Sequence, residues 1–315
     1  MTALPTMPAS ELPACPEERR WLIEGLWAAQ AVGIVGGEPK CCKSFLALDM
    51  AVAVASGSPC LRRFAVKEPG RVLLFAAEDA LHVVRERLEG ICAAARVSME
   101  ALDVQVITAP ALRLDLEADR KLLDEAVERL APKLLILDPF VRLHRIDENV
   151  SGEVAPLLAF LRELQRRHQV AVTLVHHAKK GASQARAGQA LRGSSEFHAW
   201  GDSNLYLRRA GDGLSLSIEH RAAPSKNGIP LALVQNGPAL ALEPVERTAP
   251  PADLSAASAV DRVEEALAQL QAPVGIGPLR EACRMRTQSV SAALGQLMQQ
   301  GRVIKTADGY ALASR

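Results

Sequence analysis

The chain has 315 residues, 49% of them hydrophobic and 23% charged, with 37 Lys and Arg against 36 Asp and Glu for a formal charge of +1. That is ordinary globular composition, with length for about two domains of ~150 residues and a core that needs neither metal nor disulfide. The balance excludes a wholly basic nucleic-acid coat but not a local basic surface, and no apolar run reaches the ~18 residues that span a bilayer.

In chain order, residues 1–20 are rich in Pro and Glu and predict a loose N-terminal arm. Their opening, MTALPTMPASELPACPEERRW, has neither a basic n-region nor an apolar h-region, so no secretory signal is expected. The cysteines, Cys15, Cys41, Cys42, Cys60, Cys92 and Cys283, form no C-x-x-C and read as reduced thiols, which makes the expected location cytoplasmic. AVGIVGG (31–37) predicts a buried strand and turn, 45–55 a helix, RVLLFAAE (71–78) a strand and 80–95 a helix. VQVIT (104–108) predicts a short strand, 118–130 an amphipathic helix, KLLILDPF (133–140) a buried strand, 150–168 a helix and VAVTLVHH (170–177) a further strand. Strands apolar throughout, with helices between them, predict an α/β fold whose mostly parallel sheet is covered on both faces. SNLYLRR (203–209), LSLSIEH (214–220) and LALVQ (231–235) come without helices between them and predict antiparallel additions at one side of the sheet.

The stretch 246–258, ERTAPPADLSAAS, has linker composition. After it the rhythm changes. DRVEEALAQLQ, VGIGPLREACR and RTQSVSAALGQLMQQG predict three helices, and RVIKTADGYALA predicts two strands turning at Asp308-Gly309. Three helices and a hairpin in under sixty residues predict a winged helix. The expected organisation is therefore an arm at 1–20, an α/β domain at 21–245, a linker at 246–258 and a winged helix at 259–315.

Chemistry concentrates where strands end. The first apolar strand runs into Gly37-Glu38-Pro39-Lys40-Cys41-Cys42-Lys43-Ser44 and then a helix, the setting in which a phosphate loop works. Backbone N–H groups there, backed by a helix N-terminus, can hold phosphate oxygens. Lys43 would neutralise β- and γ-phosphates, and the Ser44 hydroxyl would take a Mg²⁺ position. Cys42 stands where the pattern G-x-x-x-x-G-K-[ST] expects glycine; a small residue fits if that position needs no positive φ. Its place at a helix start beside Lys43 is expected to lower its thiol pKa.

Glu78 and Asp138 each end an apolar strand, at the sheet edge where open α/β folds bind ligands. Asp138 suits holding Mg²⁺ through water. Glu78 suits a general base that orients the attacking water, although the adjacent Asp79 is either a second candidate base or a helix cap. VTLVHHAKK brings His176 and His177 to a further strand end, as a γ-phosphate sensor or, with His198 or His220, as a metal site.

These residues carry a family resemblance. Residues 21–245 resemble the RecA-like core of hexameric replicative helicases, nearest to the RepA-type plasmid helicases, with DnaB and KaiC as more distant relatives. WLIEGLWAAQAVGIVGGEPKCCKSFLALDMAVAVASG is similar to that family's opening, LLFAAED to its base-bearing strand, and LLILDPFVRLHRIDEN to its Walker B segment. The resemblance implies Glu78 as base and His177 as sensor. QALRGSSEFHAWGDSNLYLRR is similar to a DNA-facing loop and strand carrying Arg192 and Asp202, and IEHRAAP to the segment that supplies an arginine finger across a subunit boundary, which puts Arg221 in that role. It further implies ATP and Mg²⁺ as cofactors, a homo-oligomeric ring, a hexamer by analogy, and replication of a plasmid or other mobile element.

Arg142, Arg145, Lys179, Lys180, Arg186 and Arg192 fall on loops that face the channel of such a ring, or else are solvated charge. With aromatics at 3% of the chain, contact to single-stranded DNA would run through phosphates. In the last domain Arg280, Arg284, Arg286, Arg302 and Lys305 surround the third helix, as in a helix that enters the major groove of duplex DNA, or in a protein-docking winged helix. Trp21, Trp27 and Trp200 read as packing. The expected function is MgATP hydrolysis by a DNA helicase or translocase, with no membrane partner. The alternatives are a DNA-stimulated loader or remodeller that does not unwind, and a DNA-binding regulator that ATP switches.

Overall fold

The computed structural model describes residues 4, 6–12, 14, 16, 19–177, 196–210, 213–245, 254–270, 273–283, 285, 287–306 and 308–313. Contacts divide the chain into two compact units, Met1–Glu246 and Arg247–Arg315.

In the first unit the elements run β1 (Trp21–Ile23), β2 (Trp27–Ala28), β3 (Val32–Gly37), α1 (Lys43–Ser56), β4 (Val72–Ala76), α2 (Leu81–Ala95), β5 (Val104–Val106) and α3 (Glu117–Leu130). They continue as β6 (Leu134–Asp138), α4 (Ser151–His168), β7 (Ala171–His177), α5 (Glu196–Trp200), β8 (Ser203–Ala210), β9 (Gly213–His220), β10 (Lys226–Asn236) and β11 (Ala239–Pro244). The short β1 and β2 pair only with each other. The rest form one sheet in the order β11-β10-β9-β8-β3-β7-β6-β4-β5.

The pairs from β5 through β3 to β8 are parallel, and those from β8 through β9 and β10 to β11 are antiparallel. This corrects the reading of 203–209. The strand β8 lies beside β3 in parallel, and the antiparallel series starts only at β9. Continuous apolar runs arise because both faces are covered: along β3, Ile34 packs with Leu161 and Phe197 on one side while Val35 packs with Leu46 and Met50 on the other. Helix α1 is buried nearly all round, hence its run of Ala, Val, Leu and Met. Its one buried carboxylate, Asp49, accepts the Leu61 N–H at 2.6 Å and pairs with Arg62 at 2.8 Å.

The second unit contains α6 (Leu254–Leu270), α7 (Ile276–Cys283), α8 (Thr287–Gln299), and the antiparallel pair β12 (Val303–Thr306) and β13 (Gly309–Leu312). Helix α6 begins inside the stretch whose composition reads as linker. Val263, Leu267, Leu279, Val290, Leu294 and Leu297 form its core. Val274 and Tyr310 exchange backbone hydrogen bonds at 3.0 and 2.9 Å. A Cβ on Gly309 would come within 2.5 Å of the Val274 carbonyl oxygen, so only glycine lets the two backbones approach. Among the described residues, no helix is long and apolar enough to cross a membrane.

Candidate functional site

Strand β3 ends at Gly37, where an added Cβ would lie 2.3 Å from the Leu207 carbonyl oxygen of β8, so the strand can run this close only as glycine. The loop then crosses Glu38, exposed Pro39 and Lys40, and fully buried Cys41 before α1 starts at Lys43. Lys43 is itself buried, its Nζ donating to the Glu38 carbonyl at 2.8 Å. Burial lowers its pKa, while Cys41, Asp138 and Glu78 oppose that shift.

Cys42 overturns two expectations. It sits at φ 60°, ψ 28°, the left-handed region in which a Cβ is crowded, so the position does demand positive φ and the cysteine tolerates it under strain. Its thiol pKa is raised, because burial outweighs the attraction of Arg209, Arg87 and Lys43. Lys40 shares the left-handed conformation at φ 61°, and its carbonyl accepts from Arg209 at 3.0 Å.

The acids converge from neighbouring strands. Strand β4 stops at Ala76, leaving Glu78 and Asp79 in the loop just beyond; the Ala77 N–H ties that loop to the Asp138 carbonyl at 2.7 Å. Asp138 ends β6 and is buried, which pushes its carboxyl up to about 6, against a hydrogen bond from the Ser44 hydroxyl that pulls it down. Asp79 is held by the two terminal guanidinium nitrogens of Arg87, whose cation also lies 5.2 Å from the centre of the Phe45 ring. Glu78 pairs with Arg142 at 3.0 Å. Of the two histidines that end β7, His177 stands beside Gly37 on the adjacent strand. His176 turns to the opposite face and stacks on Phe197 at 4.3 Å, as strand alternation requires.

Lys40, Cys41, Cys42, Lys43, Ser44, Glu78, Asp79, Asp138 and His177 thus line a single cleft of about 280 Å³ with Arg87. An anion placed there would meet the start of α1 and Lys43, and a cation would meet two oxygen donors, Ser44 and Asp138. Sequence reasoning missed Arg87, which reaches the cleft from a helix that no motif marks, and Arg209, which bonds the Lys40 carbonyl of the loop from the end of β8.

Arg221 lies elsewhere. Its N–H donates to the Asp202 carbonyl, and the Asp202 N–H donates to Val32 at the amino end of β3, the far edge of the sheet from Gly37. Its guanidinium donates to the Ala199 carbonyl at 2.6 Å and lies 3.4 Å from the Asp202 carboxylate. That carboxylate also takes two nitrogens of Arg162. His198 and His220 bond Tyr206 and Ser203, each at 3.1 Å, and no group of three metal-ligating side chains occurs among the described residues. Lys179, Lys180, Arg186, Arg192, Arg284 and Arg286 lie outside the described residues.

A family model described as an AAA domain matches residues 2–183, more than half of the chain. Among solved structures the chain is similar to a DnaB-like replicative helicase, described with its interactions with primase, with a TM-score of 0.54 and 13% identity over 68% of this chain. It spans only 57% of that chain's length. It is similar also to a RadB recombinase, with a TM-score of 0.51 and 17% identity over 69% of this chain and 92% of that one. At these identities the likeness is one of fold, a mostly parallel RecA-like sheet. With the family model covering the phosphate-loop candidate and both acidic strand ends, the chain belongs to the AAA-domain family and has a RecA-like P-loop fold.

Proposed function

We propose that the protein hydrolyses MgATP in the carboxyl-edge cleft and uses the reaction to move along DNA as a ring helicase or translocase. One observation carries the first half: Lys43, Ser44, Glu78, Asp138 and His177, from four separate segments, line the same cleft.

In this reading the loop 37–44 and the start of α1 bind the phosphates, with Lys43 against the β and γ groups. Buried Asp138, bonded to Ser44, fits an oxygen-ligand site for Mg²⁺: a carboxyl pushed up by desolvation becomes ionised more readily beside a cation. Magnesium, held by Ser44 and Asp138, would supply positive charge against the phosphate oxygens. Glu78 takes a proton from the attacking water, and His177 senses the γ-phosphate from the next strand. Arg221 cannot serve its own cleft, because it stands at the other end of β3, about 17 Å away at strand rise. In this proposal it acts on a neighbouring subunit's nucleotide, which the family resemblance supports, and the site would be complete only in an assembly, for which a hexameric ring is the proposed form. The channel-facing loops would carry single-stranded DNA. The three helices and hairpin of 259–315, read as a winged helix with Arg284 and Arg286 near the third helix, would bind duplex DNA. Replication of a plasmid or mobile element in the cytoplasm is the setting this implies.

The test measures MgATP turnover with and without single-stranded DNA, beside strand displacement on a forked duplex. DNA-stimulated turnover with displacement is the expected result. Turnover without displacement would replace the motor with a loader or remodeller, and near-absent turnover with sequence-specific duplex binding would make the protein an ATP-switched regulator.

A further inference from the structure

The β1–β2 hairpin pairs with no strand of the large sheet. Leu22, Ile23, Leu26 and Trp27 bury it in the core, which makes it a fixed platform. It stands beside Ser203, the first residue of β8, and His220, the last of β9, which pair with each other at the amino edge. The Trp21 ring lies edge-on to His220 at 4.8 Å. His220 Nδ1 bonds the Ser203 hydroxyl at 3.1 Å, and that hydroxyl accepts the Ala28 N–H at 3.1 Å. The residue after His220 is Arg221.

The loop that carries Arg221 has little burial to hold it. Residues 221–228 are exposed apart from half-buried Ala223, and the register of β9 with β10 shifts between Lys226 and Ile229. Exposed backbone with few packed neighbours is the part of a fold that moves most readily. On the amino side the Arg221 N–H donates to the Asp202 carbonyl at 2.8 Å. On the carboxyl side the Ala222 carbonyl accepts from the guanidinium of Arg20. Arg20 immediately precedes β1, and its own carbonyl accepts the Ala29 N–H at 2.9 Å. Its guanidinium lies 5.7 Å from the centre of the Trp21 ring, an aromatic face that steadies a cation. A hydrogen bond from a guanidinium is stronger than one between neutral groups. The exposed loop is thus tied on both sides of Arg221, once by the sheet and once by the hairpin.

We propose that Arg20 is a positioning residue for Arg221. It pins the Ala222 carbonyl to the hairpin, so that the Arg221 guanidinium is presented to a neighbouring subunit's nucleotide from a fixed backbone. This rests on the reading of Arg221 as an arginine finger. Arg20 touches no nucleotide in this arrangement; it acts on the geometry of another side chain, where a displacement of about 1 Å costs about 10²-fold in rate.

The experiment compares wild type, Arg20→Ala, Arg20→Gln, Arg20→Lys, Arg221→Ala and the double variant Arg20→Ala/Arg221→Ala in kcat and KM for MgATP, with nucleotide affinity, thermal unfolding and assembly mass measured alongside. Arg20→Ala and Arg20→Gln are each expected to lower kcat roughly 10- to 100-fold, with nucleotide affinity and assembly unchanged; the glutamine variant keeps the test open if the alanine variant unfolds. Arg20→Lys, which retains a charged donor for the carbonyl, should recover most of the rate. The double variant should turn over no more slowly than Arg221→Ala, because a residue that acts through the finger then has nothing left to position. Arg20→Ala subunits mixed with Lys43→Ala subunits should regain activity, since the first keep an intact cleft and the second a well-held Arg221; a general fold defect would not be repaired this way. A normal kcat in folded, assembled Arg20→Ala or Arg20→Gln, or a further loss in the double variant, would overturn the proposal. Normal turnover by Arg221→Ala would instead overturn the finger reading beneath it, a separate failure that the same panel reveals.

Discussion

The two edges of the nine-stranded sheet treat charge in opposite ways. At the carboxyl edge, buried Lys43 and buried Asp138 both have pKa values displaced by desolvation, with Glu78 and Asp79 adding negative charge nearby. At the amino edge, Asp202 is fully engaged by Arg162 and Arg221 and by the Val32 N–H at 3.3 Å. One edge holds two desolvated groups, Lys43 and Asp138, whose charge a nucleotide and its metal would compensate; the other holds a carboxylate already compensated, beside the half-exposed Arg221 guanidinium. Under the proposed function, the difference makes one edge the receiver of a nucleotide and the other the supplier of an arginine, so that a subunit would not satisfy its own demand.

The largest expected effect is on chemistry. If Arg221 is the proposed arginine finger, Arg221→Ala should lower turnover by about 10³-fold or more, with nucleotide affinity retained; a normal rate would leave the amino edge without a catalytic role. At the opposite edge Lys43→Ala should abolish turnover and weaken binding. Glu78→Gln should lower turnover by roughly 10²–10⁴-fold with binding kept. Normal turnover in Glu78→Gln would make Asp79 the base.

Stability should respond with opposite signs. In metal-free protein the folded state keeps the Asp138 proton up to about pH 6, against 3.8 for the ordinary group. The folded chain thus binds more protons than the unfolded chain between those values, and stability falls as pH rises through that window. The accumulated cost at pH 7 is about 3 kcal/mol, so Asp138→Asn should stabilise the metal-free protein by up to that amount at pH 7 and by nothing near pH 4. Asp202→Asn should destabilise it, by roughly 1.5–3 kcal/mol for bonds lost to charged partners. Denaturant unfolding across pH measures both, and equal signs would erase the contrast between the edges. The smallest effect belongs to Cys42→Gly, which removes a left-handed Cβ: a gain of about 1 kcal/mol, with turnover unchanged or modestly raised.

Much of this was legible in the sequence because the sheet is buried on both faces. Residues 134–138 and 171–177 are apolar almost without interruption, and the polar residue that ends each run marks the ligand-binding edge. Strand order was not legible. Nothing in 203–209 says that it lies beside β3, so neither its parallel pairing nor the reach of Arg209 into the loop could be read. The hairpin of β1 and β2 is too short for periodicity, and β11 follows β10 with only Gly237 and Pro238 between. The backbone of Cys42 escaped for a different reason: cysteine does not itself announce a left-handed position, and the glycine that the loop pattern expects there was the one signal. The pairing of Arg142 with Glu78 joins positions 64 apart, a contact that only the adjacency of β4 and β6 creates.

The central claim, that the supplying edge of one subunit completes the receiving edge of another, is tested most directly by mixing two inactive proteins. Arg221→Ala subunits keep an intact cleft, and Lys43→Ala subunits keep an intact arginine. Assemblies formed from both, verified by mass, should recover part of the wild-type ATP turnover, because at some interfaces an intact Arg221 faces an intact Lys43 cleft. Mixed assemblies that demonstrably form and yet hydrolyse no ATP would contradict the account.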